Sequence, residues 1–257
     1  MADMPHLQTP SFRLDGRRAL VTGAGRGLGL AAAHALAQAG AQVTLVARTA
    51  TEIEAASADI RAAGGKALAH VLDVTDSPAV ARFVAQHGPF DILVNNAGTN
   101  RPALLTDMLD ADLDAVLDLN VKAVFYVSRE VARGLTAAGK PGSIINISSQ
   151  MGHVGSPKRS VYCASKHALE GFTKALAWEL GPQQIRVNTV CPTFIETPLT
   201  APMLAEPTFR SWVLSKIALG RLGRMEEVMG AVVFLASDAA SLITGSALMV
   251  DGGWTAA

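Results

Sequence analysis

The eight residues TGAGRGLG, Thr22 to Gly29, constrain the fold of this chain more than any other stretch. They join a short apolar run, RALVTG, to an Ala-rich helical run, LGLAAAHALAQAG. Glycines at 23, 27 and 29 let the backbone turn sharply, approach a pyrophosphate closely and present amides at a helix N-terminus, where the peptide dipoles favour negative charge. A Gly-rich turn by itself also suits an ordinary tight loop. Its place between a first strand and a first helix is what weights the phosphate-binding reading.

The rest of the chain repeats that alternation. QVTLVA, ALAHVLDV, DILVNNAG, GSIINISS, IRVNTVCP and SALMVDGG read as further strands. Between them run the helical stretches TEIEAASADIRAAG, PAVARFVAQHG and DLDAVLDLNVKAVFYVSREVARGL, and a helix from about Tyr162 to Leu180. Strand, helix, strand in repetition implies right-handed crossovers and a parallel sheet. The expectation is therefore α/β: one doubly wound (Rossmann) domain over residues 14–257 with a parallel seven-stranded sheet, preceded by a flexible N-terminal arm over 1–13. The segment 193–221 is long, holds prolines 198, 202 and 207, and follows a strand end, where a substrate lid would sit.

The 22 basic and 22 acidic residues balance, so no global field favours nucleic acid or an anionic membrane. No apolar run reaches the roughly 18 residues a membrane span requires. The N-terminus lacks the apolar middle section of a secretory signal. Two cysteines, Cys163 and Cys191, are too few for a disulfide framework, and a reduced, cytoplasmic setting is expected. The six histidines show no metal-ligand spacing such as HExxH, so the expected metal complement is none.

Tyr162 and Lys166 are four apart and share a helix face, which places an ammonium near a phenol. A phenol is a poor base at neutral pH, and a neighbouring positive charge favours its ionised form. Ser149, at the end of SIINISS, can bring a hydroxyl beside that phenol. NNAG at Asn95 to Gly98 and Asp73 in LDVTD have bland readings as turn or cap residues. Asn120 lies inside a helical pattern at a cost in propensity.

Taken together, TGxxxGxG, NNAG, Ser149 and the Tyr162/Lys166 pair resemble the classical short-chain dehydrogenases/reductases, of the gluconate 5-dehydrogenase type, from about Leu14 to Gly253. The resemblance implies an NAD(P)-dependent oxidoreductase moving hydride between a nicotinamide and a secondary alcohol or ketone. It implies Asn120, Ser149, Tyr162 and Lys166 as the catalytic set. It implies coenzyme contacts from Gly23, Arg26, Gly27, Leu28, Gly29, Asp73, Val74, Asn96, Ala97 and Gly98, besides Tyr162 and Lys166. In IRVNTVCPTFIETP it adds Pro192, Ile195 and Thr197, although Thr193 stands where the family has glycine and puts the local turn in doubt.

The second strand ends at Ala47, where an acidic residue would mark NAD selectivity, and Arg48 follows. With Arg26 it could reach a 2′-phosphate, so NADP(H) is expected over NAD(H), which stays possible. Gln150, His153 and Arg159 offer donors and charge for a small-molecule substrate such as a sugar, polyol or sugar acid. A 3-oxoacyl-thioester reductase is the alternative, and a non-catalytic nucleotide-binding protein the alternative from another class. The resemblance also implies a homotetramer.

Overall fold

The computed structural model describes residues 8–198 and 200–256. In chain order its elements are β1 (Arg18–Thr22), α1 (Gly27–Gln38), β2 (Gln42–Ala47), α2 (Ala50–Ala62), β3 (Lys66–Val71), α3 (Ser77–His87) and β4 (Ile92–Asn95). There follow α4 (Asp110–Leu117), α5 (Ala123–Ala137), β5 (Gly142–Ile147), α6 (Ser160–Leu180) and β6 (Ile185–Pro192). The chain closes through α7 (Ala201–Leu204), α8 (Pro207–Lys216), α9 (Met225–Ala236) and β7 (Ala247–Val250). The strands form one seven-stranded sheet in the order β3-β2-β1-β4-β5-β6-β7, every neighbouring pair parallel. This is the expected single α/β domain.

Helices cover both faces, so the central strands are buried without alternation: every residue of Ile92 to Asn95 and Gly142 to Ile147 is enclosed. One core packs α1, α2 and α9 on the sheet through Leu36, Ile53, Val228 and Val232. The other packs α3 and α5 through Val80, Phe83, Val127 and Val131. The strand order reverses between β1 and β4. That reversal opens a crevice at the carboxyl ends of these two strands, the usual ligand position in such sheets.

Three departures from the sequence expectation have local causes. Residues 193–221, the segment expected as a lid, carry two helices that the sequence does not announce, α7 and α8, folded over a third apolar cluster of Met151, Cys163, Phe194, Leu204, Val213, Ile217 and Leu222. The helix α9 has no counterpart in the reading of the sequence, and its N-terminus is set by Glu227, whose carboxylate accepts from Arg224 N at 2.9 Å. The helical run 110–137 is interrupted by a π-helical turn over Asp118–Lys122, with Asn120 inside it. Of the proposed arm, residues 1–7 lie outside the described residues, while Phe12 packs its ring 6.2 Å from that of Phe234 and Arg13 bonds Gln38 O at 3.3 Å. Among the described residues, no helix is long and apolar enough to cross a membrane.

Candidate active site

The crevice is a cleft of about 550 Å³. Its floor begins at the Gly-rich turn. Gly23 and Gly27 take φ of +62° and +57°, the left-handed region that glycine adopts without strain. A Cβ at Gly29 would lie 2.3 Å from Gly23 O and 2.4 Å from Asn96 Nδ2, so only glycine lets α1 start this close to β1.

The end of β4 locks that turn. Thr22 Oγ1 accepts from Asn96 N at 3.0 Å and Ala97 N at 3.1 Å, and Asn96 Nδ2 donates to Thr22 O at 3.0 Å and Gly23 O at 3.1 Å. NNAG is therefore more than a strand-ending turn, because its second Asn ties together the two strands that border the crevice. The first, Asn95, donates to Ser128 Oγ and Asn146 Oδ1, both at 2.9 Å, and Asn146 in turn donates to Thr173 Oγ1 at 2.9 Å. This buried chain links β4, β5, α5 and α6.

On the opposite wall stand Ser149, Tyr162 and Lys166, all facing the cleft. Ser149 begins a 3₁₀ turn after β5; its Oγ accepts from Met151 N at 3.1 Å and donates to Gln150 Oε1 at 2.7 Å. Tyr162 and Lys166 share a face of α6, with Lys166 Nζ 5.6 Å from the phenol ring centroid and donating to Ile147 O at 2.8 Å. Burial pushes the Tyr162 phenol up to about 12, opposed by the Ser149 hydroxyl and the Arg159 guanidinium. Burial likewise brings Lys166 down to about 8, with Cys191 and Glu170 pulling the other way. The Ser149 hydroxyl and the Arg159 guanidinium pull the phenol down, and desolvation outweighs both.

Asn120 does not line the cleft. It is 1% exposed, accepts from Thr99 N at 2.8 Å and donates to Thr99 O at 2.9 Å and Ser165 Oγ at 3.1 Å. It positions the strand-end segment 98–99 against α6, and the π-helical turn is what directs it there.

Of the expected coenzyme residues, Gly23, Arg26, Gly27, Leu28, Arg48, Asp73, Val74, Asn96, Ala97, Gly98, Pro192, Ile195 and Thr197 line the cleft, and Gly29 lies beneath it. Asp73 accepts from Thr75 N at 2.9 Å and Thr75 Oγ1 at 2.7 Å, so it is a turn residue as well. Arg26 lies 3.6 Å from Glu52, a wall residue that the sequence reading missed because it sits on α2, away from any motif. Thr193 is free of positive φ, so the doubt attached to it falls away. Among the described residues, its buried Oγ1 has no hydrogen-bond partner and sits in the cleft wall.

The three expected substrate residues are not on that wall. Gln150 is buried under Ser149, and Arg159 is buried against Met203 Sδ at 3.1 Å. His153 turns away toward Glu170 and Cys191. The loop that carries them packs beneath α7, which the local sequence could not foretell.

Comparison with known proteins follows the same geometry. A family model described as enoyl-(acyl carrier protein) reductase matches residues 23–255. Gluconate 5-dehydrogenase of Gluconobacter oxydans is 42% identical over 248 residues, covering 95% of this chain and 96% of that protein. A 3-oxoacyl-(acyl-carrier-protein) reductase of Thermotoga maritima is 41% identical over 246 residues, covering 94% of this chain and 99% of that protein. The crystal structure of a gluconate 5-dehydrogenase from Burkholderia cenocepacia, in complex with NADP and tartrate, superposes with a TM-score of 0.91 at 38% identity, covering 96% of this chain and 98% of that one.

Proposed function

This chain belongs to the short-chain dehydrogenase/reductase family, and from that premise we propose that it is an NADP(H)-dependent oxidoreductase interconverting a secondary alcohol and a ketone on a sugar, polyol or sugar acid. The observation that carries the reading is the convergence of Ser149, Tyr162 and Lys166 on the same cleft as the Gly-rich turn. An intact set of this kind argues against a non-catalytic nucleotide-binding protein. The names of the gluconate 5-dehydrogenases favour a sugar acid. The Thermotoga relative favours a 3-oxoacyl thioester as the second reading.

The cleft suits a dinucleotide. Its floor is a turn of exposed amides at a helix N-terminus, and the buried Thr193 Oγ1 offers an unsatisfied polar atom at the far end. NADP(H), when bound, supplies or accepts the hydride. The chain's own part is proton transfer and orientation. Tyr162 Oη holds the proton that the substrate oxygen gains in reduction and takes it back in oxidation. Ser149 Oγ is placed to hydrogen-bond the same oxygen, exchanging its bond to Gln150 for one to substrate. Lys166, anchored on Ile147 O, holds charge beneath the phenol.

Supporting NADP(H), the wall at the end of β2 is Ala47, Arg48 and Thr49, with no carboxylate to repel a 2′-phosphate. The acid nearest the turn, Glu52, is engaged by Arg26. We further propose a homotetramer: Phe125 on α5 and Trp178 on α6 are 46% and 86% exposed, and Phe125 stacks on Phe172 at 3.9 Å, giving these two helices an apolar outer face. A cytoplasmic setting fits the two buried free cysteines.

Tyr162→Phe should lower kcat by about 100-fold to 10,000-fold while NADPH still binds, as followed by nicotinamide absorbance and fluorescence. Because oxidation uses the phenolate and burial raises that phenol, the oxidative rate should climb through the alkaline range; a flat profile or near-normal turnover of the variant contradicts the assignment. Wild-type kcat/KM on a panel of sugar acids, polyols and 3-oxoacyl thioesters should be higher with NADP(H) than NAD(H), and Ala47→Asp should invert or erase that ratio. An unchanged ratio, or a wild-type preference for NAD(H), counts against the reading of β2. Light scattering at micromolar concentration should give four chain masses, and a monomer would refute the assembly.

A further inference from the structure

Behind the cleft wall, the fold gathers three metal-ligand side chains that are too far apart in sequence to form any local motif. His153 comes from the turn after β5, Glu170 from α6 and Cys191 from β6. None of the three lines the cleft, although Ser148 beside them does, so the cluster backs onto the wall of the site described above. We propose that His153, Glu170 and Cys191 form a binding site for one zinc-class divalent cation.

The separations carry the argument. His153 Nε2 lies 3.5 Å from Glu170 Oε1 and 3.5 Å from Cys191 Sγ, and Cys191 Sγ lies 3.4 Å from Glu170 Oε1. A tetrahedral zinc with bonds of about 2.0 Å to nitrogen and oxygen and about 2.3 Å to sulfur has ligand-to-ligand edges of roughly 3.3 to 3.6 Å. All three sides of the triangle fall in that range. The His153 to Glu170 side is longer than a good N–H···O hydrogen bond, so direct pairing of these two groups does not account for it.

The surroundings are built to match. Thr189 Oγ1 donates to Glu170 Oε2 at 3.0 Å, which fixes the carboxylate and leaves Oε1 directed at the histidine and the thiol. Hydrogen bonds of this kind orient ligating carboxylates in metal sites. Ser148 is 3% exposed, and among the described residues its Oγ makes no hydrogen bond of good geometry. A Cβ on Gly152 would lie 2.9 Å from Ser148 Oγ and 3.2 Å from Glu170 Oε1, so both oxygens converge over a residue whose missing side chain leaves the space. Ser148 or a water held by it would complete four-coordination.

The donor set also selects the ion. One imidazole, one carboxylate and one thiolate suit zinc or cobalt, whereas magnesium and calcium take oxygen ligands. Binding forms the sulfur–metal bond and releases the thiol proton to solvent, after which the carboxylate and thiolate charges balance the dication. Entry is by way of His153, whose side chain is 30% exposed, while Glu170 and Cys191 are buried.

Untagged full-length protein, freed of metal with a chelator, is titrated with cobalt(II) and followed by absorbance, with zinc(II) added in competition. One cobalt per chain should bind, with the visible bands of a tetrahedral ion and a sulfur-to-cobalt charge-transfer band in the near ultraviolet, and zinc should displace it. Cys191→Ser should lose the charge-transfer band, and His153→Gln, at a partly exposed position, should weaken cobalt binding by at least about 10-fold. Thermal melting and NADPH binding of each variant verify its fold. Failure of the wild type to bind cobalt stoichiometrically, binding without the charge-transfer band, or full affinity retained in His153→Gln overturns the proposal. None of these outcomes bears on the dehydrogenase reading, which stands on the cleft.

Discussion

Two backbone amides that would otherwise lack a partner, Asn96 N and Ala97 N, both donate to one hydroxyl, Thr22 Oγ1. Everything at the mouth of the crevice depends on that arrangement. Where the strand order reverses, β1 and β4 are parallel neighbours whose following helices pack on opposite faces, and each must end in a way that leaves space for a ligand. The hydroxyl of one loop and the Asn96 amide of the other close the gap, and Asn96 also holds the Gly23 carbonyl that a side chain at position 29 would strike. Each unmade hydrogen bond here would cost on the order of 1–3 kcal/mol, a sizeable part of a domain's net stability.

A second layer of buried polar contacts carries the opposite wall. Asn95, Asn146 and Thr173 run as a chain between the strands and α6, while Asn120 grips both backbone groups of Thr99 and reaches Ser165. The Ser165 hydroxyl donates to Tyr162 O at 2.7 Å, so the helix turn bearing the phenol is bonded through Asn120 to the strand end beside the cleft. Such networks are costly when partly satisfied and rigid when complete, which suits a wall that must hold three side chains in register. The same enclosure raises the phenol and lowers the ammonium, keeping Tyr162 in its proton-bearing form at neutral pH.

Much of this was legible in the sequence because its chemistry is local. The strand and helix alternation yields the sheet, glycines at 23, 27 and 29 mark the turn, and a four-residue spacing puts Tyr162 and Lys166 on one face. What escaped reading depends on contacts distant in the chain. The helices α7 and α8 gain their order from Phe194, Leu204 and Val213 packing on Met151 and Cys163, and no periodicity within 193–221 announces that. His153 reads as a loop donor, yet the turn after β5 brings it onto Glu170 and Cys191, residues far along the chain from it, the latter 38 positions away. Thr193 stands where a glycine would suggest a positive φ, and the backbone there requires none.

The Thr22 and Asn96 junction holds the Gly-rich end of the cleft in shape before any ligand arrives. Replacing Thr22 by Val keeps the size and β-branching of the side chain and removes the hydroxyl, which accepts from Asn96 N and Ala97 N and donates to Val94 O at 3.5 Å. Isothermal titration of NADPH into that variant, with circular dichroism to verify the sheet, should show affinity reduced by about 5-fold to 100-fold, the equivalent of roughly 1–3 kcal/mol. An unchanged affinity in a folded variant would contradict the claim.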